Sequence, residues 1–131
     1  NGASASIASH AAVDFTKQAK IRATAFNDHN LVTAFSNDYG YENWVSESIQ
    51  AYGKAGDAVV LISSSGKSAN IVKAATKARE LGLQVVTFTG FSNSNPLNAL
   101  GDINFWLDSK AYNIVESRHS IWICTVVDLI V

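Results

Sequence analysis

Two short apolar runs with a helical segment between them constrain this chain more than any other feature. Residues 57–63 contain Ala58-Val59-Val60-Leu61-Ile62, and residues 84–89 read Gln-Val-Val-Thr-Phe-Thr. Both are β-branched and nearly unbroken in apolar character, the pattern of strands buried on both faces of a parallel sheet. Between them Ile71, Val72, Ala75 and Ala78 recur at helical spacing over 68–81, and Gly82 supplies a stop. Strand, helix and strand make a βαβ unit with a right-handed crossover. Around it the pattern predicts helices near 4–16, 28–36, 42–53 and from about 113 to the end, with strands at 21–26 and 103–107. Pro96 follows the polar run Ser92-Asn93-Ser94-Asn95 and leads from a loop into a short helix. The alternation implies a three-layer α/β domain.

The chain has 131 residues, enough for one domain, and 47% of them are hydrophobic against 16% charged. A core can therefore form. The net charge of −1 leaves no basic excess to attract nucleic acid or an anionic membrane. No apolar stretch approaches the ~20 residues needed to span a bilayer. Cys124 is the one cysteine, so no internal disulfide forms, and a reducing, cytoplasmic setting is expected. The N-terminal residues lack the charge and apolar core of a signal peptide. The sequence opens in loop-like residues and stops inside an apolar pattern, so we expect a domain trimmed at both ends.

The residues that follow the first apolar run are Ser63-Ser64-Ser65-Gly66-Lys67-Ser68. A loop that leaves a buried strand and opens a helix presents free N–H groups and the positive end of the helix dipole to an anion. Serine hydroxyls add donors, and Gly66 permits a tight turn. A nucleotide P-loop would need another glycine where Leu61 stands, so that motif fails. The ordinary alternative is that Ser65 or Ser68 caps the helix. Four serines in six positions favour an anion site. Lys67 either adds charge there or points to solvent.

Leu61 to Ser68 followed by Ala69-Asn70-Ile71 resembles the signature of the sugar isomerase (SIS) domain. Asn1-Gly2-Ala3-Ser4-Ala5-Ser6 resembles the family's second glycine-and-serine loop. Asn37-Asp38-Tyr39-Gly40 and Val86-Thr87-Phe88-Thr89-Gly90 resemble two further landmarks. The branch it most resembles is that of the phosphoheptose isomerases. The resemblance implies a flavodoxin-like parallel sheet, here apparently lacking its first strand, and a homo-oligomer, often a tetramer. It implies that Ser63, Ser64, Ser65 and Ser68 hold a sugar phosphate, that Ser4 helps bind it, and that Asp38 lies near the sugar hydroxyls.

Aldose–ketose isomerisation needs a base near carbon and an acid near oxygen, and a metal can assist the acid. His10 and Asp14 are four apart and share one helical face. The resembling isomerases carry histidine and glutamate there, so Asp14 is the candidate base on a shorter side chain. On the last helix the resemblance places Glu116 where the family has glutamine, Cys124 where it has histidine, and His119 at a further family histidine. A register shifted by one would instead put Val115 and Ile123 at the site. The candidate catalytic set is thus Asp14, His10, Glu116 and His119. No cofactor is required by the resemblance, but some of the resembling enzymes use metal. His10, Asp14, Glu116 and Cys124 are all acceptable zinc ligands. Against this, a histidine–aspartate pair at this spacing is often a surface pair, and Cys124 among Ile121, Trp122, Ile123 and Val126 packs like a small hydrophobe. Tyr39, Tyr41 and Trp44 could stack on a sugar but more commonly serve core or interface. His29 is expected to be a solvated residue at a helix start.

Two functions follow. One is an isomerase of sedoheptulose 7-phosphate or a related ketose phosphate, serving heptose synthesis for surface polysaccharide. The other is a sugar-phosphate-sensing or partner-binding module without catalysis, motivated by the departures at Asp14, Glu116 and Cys124.

Overall fold

The two apolar runs are adjacent parallel strands, β1 (Ala58–Ser63) and β2 (Gln84–Thr89), in register from Ala58 opposite Gln84 to Ser63 opposite Thr89. The computed structural model describes every residue from Asn1 to Val131. A third parallel strand, β3 (Ile103–Trp106), pairs with β2, so the sheet order is β1-β2-β3. The helices are α1 (Gly2–Lys17), α2 (His29–Tyr39), α3 (Trp44–Tyr52), α4 (Ala69–Glu80) and α5 (Tyr112–Ile130), with a single 3-10 turn at Asn98–Leu100.

Strand alternation sorts the core into two halves. Leu61 and Val85 face one side, where Trp44, Val45 and Ile49 of α3 meet Ala74, Ala75 and Ala78 of α4. Three buried alanines let α4 approach closely. Ile62 and Phe88 face the other side and meet Ala11 of α1 and Ile123 of α5. Phe88 stacks on Phe105 of β3 at 4.5 Å between ring centres. The layers are therefore α3–α4, the sheet, and α1–α5, as a doubly wound α/β domain requires.

The strand expected at 21–26 is not a strand. These residues run beside α1 without a ladder. Ala23 exchanges hydrogen bonds with the Thr16 hydroxyl, and Asn27 donates to the Ala5 carbonyl and the Ser9 hydroxyl, both at 2.8 Å. Only Ile21 and Thr24 are β-branched here, and both are exposed. The segment thus has too little apolar surface to gain from joining the sheet, and α1 satisfies part of its polar demand. The next helix starts where Asp28 accepts from the N–H groups of Asn30 and Leu31 at 3.0 and 3.2 Å. His29 is exposed at that start, as expected.

Candidate functional site

The serine loop occupies the C-terminal tip of β1, where ligands bind in open α/β sheets. Gly66 takes φ of +64°, in the left-handed region. Ser68 stands at the N-cap of α4 but makes no side-chain cap, so the N–H groups of Ala69 and Asn70 are left for another acceptor, while those of Ile71 and Val72 bond the Ser68 carbonyl. Its hydroxyl is instead 3.5 Å from that of Ser63, which donates to it, and Ser65 accepts from the N–H of Lys67 at 3.3 Å. The simple capping explanation is thereby set aside. A cavity of about 130 Å³ opens beside the loop. Ser4, Ser63, Ser64, Ser65 and Ser68 share its wall with Glu116. Lys67 is exposed and is not on that wall. The cavity is smaller than the ~300–1,000 Å³ of common small-molecule sites, so it suits the phosphate end of a ligand.

A second group lies on the paired helices. His10 Nε2 is 3.1 Å from Asp14 Oδ2, one helical turn away. A ligand atom from each of His10, Asp14 and Cys124 falls within 4.8 Å of the others. Since Ser4 and Glu116 share the cavity and Asp14 and Cys124 share this cluster, α1 and α5 run in the same direction. The structure also decides the register of α5. Val115 and Ile123 are in the core at 0% and 3% exposure, while Glu116 and Cys124 point to the two functional groups. The four-ligand zinc set is corrected to three. Glu116 lines the cavity and is not in the group, whose donor atoms come from His10, Asp14 and Cys124. The remaining donors fit zinc: nitrogen, carboxylate oxygen and thiolate sulfur are its usual ligands, and three protein ligands leave a position open.

Comparison with known proteins places this geometry. The family model for the SIS domain matches residues 1–90. The chain belongs to the SIS domain family. A phosphoheptose isomerase from Aliarcobacter butzleri is 31% identical, the match covering 98% of this chain and 72% of that protein. A probable phosphoheptose isomerase from Thermoplasma volcanium is 34% identical over 98% of this chain and 69% of its own length. The solved phosphoheptose isomerase from Neisseria gonorrhoeae superposes with a TM-score of 0.93 at 32% identity, covering 100% of this chain and 73% of that one. This SIS domain therefore sits in the phosphoheptose isomerase branch, and the three-layer fold is shared.

Within the SIS domain, two residues anticipated at the site stand elsewhere. His119 is 0% exposed and lines neither group. Its Nε2 is 3.0 Å from the Thr89 carbonyl, its Nδ1 has no partner, and its ring meets Phe88 edge-on. Burial holds its pKa below the ordinary 6.5, while the Thr89 carbonyl and the nearby Glu116 pull the other way. A ring enclosed in this way ties α5 to the end of β2 and does not reach a substrate in the cavity. Asp38 is exposed, accepts from Asn37 at 2.9 Å, and is off the cavity wall. Tyr39 and Tyr41 are exposed, whereas Trp44 is in the core. Tyr41 nevertheless donates to Asn1 Oδ1 at 2.8 Å, which brings that turn to the cavity rim. The sequence reasoning missed Asn1 and Tyr112, which also line the cavity. Tyr112 had a usable signal, since it lies one turn before Glu116 on the same helix face.

Proposed function

We propose that this SIS domain is an aldose–ketose isomerase of the phosphoheptose type, acting on sedoheptulose 7-phosphate. The observation that carries the reading is the uncapped, serine-lined cavity at the tip of β1, with the Glu116 carboxylate of α5 on its wall and a histidine–aspartate pair further along α1. In a 7-phosphate the reacting carbons lie at the far end of the chain from the phosphate. The serines and the first turn of α4 take the phosphate. Ser4 and Glu116 meet the sugar hydroxyls. Asp14 is the base that removes a proton from C1 while the C2 carbonyl oxygen gains one. The resulting enediol then loses its O1 proton and is reprotonated at C2, which gives the aldose. His10, bonded to Asp14, orients that carboxylate and can carry the proton exchanged at oxygen.

The same three residues, His10, Asp14 and Cys124, would hold zinc, which supplies Lewis acidity for a carbonyl oxygen. Metal analysis of the purified protein, with and without Cys124→Ser, tests that part. Self-association belongs to the reading as well. Val13 of α1 and Ile114 and Ile121 of α5 are more than half exposed on the helices that bear the site, and such apolar surface suits a second copy of the chain. No helix is long and apolar enough to cross a membrane. A cytoplasmic place in heptose synthesis for surface polysaccharide completes the proposal.

Turnover of sedoheptulose 7-phosphate, lost on Asp14→Ala, is the result expected. Binding of sugar phosphates with no turnover of any heptose or pentulose phosphate would favour the non-catalytic module instead.

A further inference from the structure

We infer that Asn95 is a positioning residue that sets the serine loop for anion binding. It lies 29 residues beyond Gly66, in a polar run that would ordinarily be solvated, yet it is 1% exposed. Burying an amide is costly unless its hydrogen bonds are replaced. Here they are. Oδ1 accepts from the N–H of Asn98 at 2.8 Å. Nδ2 donates to the Ser92 carbonyl at 2.8 Å and to Thr89 Oγ1 at 3.2 Å. The amide therefore closes the 92–98 loop on itself and fastens it to the end of β2.

That closed loop bears directly on the serines. The Asn95 side chain fills the space a Cβ at residue 66 would occupy, overlapping its position with Oδ1 and Cγ. Leu97 donates its N–H to the Gly66 carbonyl at 3.1 Å, and Gly90 donates to the Ser64 carbonyl at 2.9 Å. The serine loop thus has backbone ties at Ser64 and Gly66, with the Asn95 side chain as the wall behind them. Asn95 leaves no room for a Cβ at position 66, and the backbone bonds on either side hold the glycine in its left-handed turn against that wall. The direction in which the Ser64, Ser65 and Ser68 donors point follows from that turn. Donors must be held within a fraction of an ångström to bind an anion well, and the group that holds them need not touch it.

The inference rests on the reading of the serine loop as a phosphate site, and the experiment separates the two. Inorganic phosphate is titrated into the wild-type protein, Asn95→Ala and Thr89→Val by calorimetry, with thermal unfolding recorded for each. Steady-state kinetics with sedoheptulose 7-phosphate accompany them. Asn95→Ala is expected to weaken phosphate about tenfold and to raise KM similarly while kcat changes less than twofold, because the acid–base groups sit on other elements. Thr89→Val, which removes one of the two acceptors of Nδ2, is expected to weaken phosphate about threefold and serves alone if Asn95→Ala does not fold. A purely structural Asn95 would lower the unfolding temperature and leave phosphate affinity in the folded variants unchanged, and that result overturns the inference. Failure of the wild-type protein to bind phosphate removes the site itself, and the inference with it.

Discussion

The serine loop and the His10–Asp14–Cys124 group are built on opposite principles. The loop is held from behind by Asn95, Leu97 and Gly90, and five of its six residues are buried or partly buried serines or the turn glycine. Its binding power comes from main-chain amides and short hydroxyls at one strand tip. The second group hangs on the sides of two helices, with Asp14 and Cys124 lying 110 residues apart in sequence, and His10 keeps 67% of its side chain in solvent. Its one side-chain bond is the i,i+4 contact of His10 with Asp14, and Cys124 is held by packing against the core. On the proposed function, the grip on phosphate is therefore a property of the fold, whereas the chemistry depends on a few replaceable side chains. Two of the departures from the family pattern that the resemblance implies, Asp14 and Cys124, fall in the second group and leave the loop undisturbed, while Glu116 stands on the cavity wall.

That contrast is broken most easily at Asp14. Loss of a positioned acid–base group costs typically ~10²–10⁴-fold in rate. Asp14→Ala should therefore reduce kcat for sedoheptulose 7-phosphate by at least about a hundredfold. Its stability should hardly move, because an i,i+4 pair of this exposure contributes only about 0.3–0.5 kcal/mol. Kinetics and thermal unfolding on one sample check both halves. A large fall in melting temperature would place Asp14 in the framework and not in the chemistry.

Gly66→Ala should show the reverse pattern. A left-handed residue with a side chain costs roughly 1–2 kcal/mol even in open space, and here the new methyl also meets Asn95. Destabilisation of about 2–4 kcal/mol is expected once overpacking is included. Phosphate binding should vanish with it. Denaturant unfolding and phosphate titration measure the two, and a stable variant that still binds would mean the loop is not tied as described.

His119 tests how far α5 belongs to the rigid side of the comparison. Its pKa is lowered in the folded protein, so below about 6.5 the unfolded chain binds a proton that the folded chain resists. The stability is complete above 6.5, falls as pH drops toward the lowered value, and is flat for this group below that. Glu116 is the one carboxylate acting on it, and it opposes the burial effect. Each unit of pKa separation is worth about 1.4 kcal/mol. His119→Gln should flatten this part of the stability profile, measured by denaturant unfolding from pH 5 to 8. An unchanged slope would assign the dependence to other groups.

How much of this was legible beforehand follows the same division. The βαβ unit and the serine loop are contiguous, and their residue pattern alone places β1, α4, β2 and the anion site. The 21–26 segment misleads because its alternation resembles a strand, and only its bonds to Phe15 and Thr16, with those of the adjoining Asn27 to Ala5 and Ser9, show where it lies. The register of α5 could be chosen but not proved until Val115 and Ile123 were found in the core. The separation of Glu116 from the group at Cys124 shows only once α1 and α5 are packed together. Asn95 was not, since nothing in Ser92-Asn93-Ser94-Asn95 distinguishes the one buried asparagine from its exposed neighbour Asn93 until the serine loop is laid against it.

The smallest effect is expected at Asp38, and it sharpens the comparison from outside both groups. The family resemblance assigns this residue to the sugar hydroxyls, yet in the chain it is exposed and bonded only to its neighbour Asn37. An exposed carboxylate off the cavity wall can reach a substrate only if a second copy of the chain brings it there. With a single chain completing the site, Asp38→Ala should change KM and phosphate affinity less than twofold and leave stability within the ~0.5 kcal/mol expected of a surface substitution. Steady-state kinetics at protein concentrations above and below the self-association range provide the measurement. A severalfold rise in KM confined to the associated form would show that the sugar end of the site is completed between subunits, and that only the phosphate end belongs wholly to one fold.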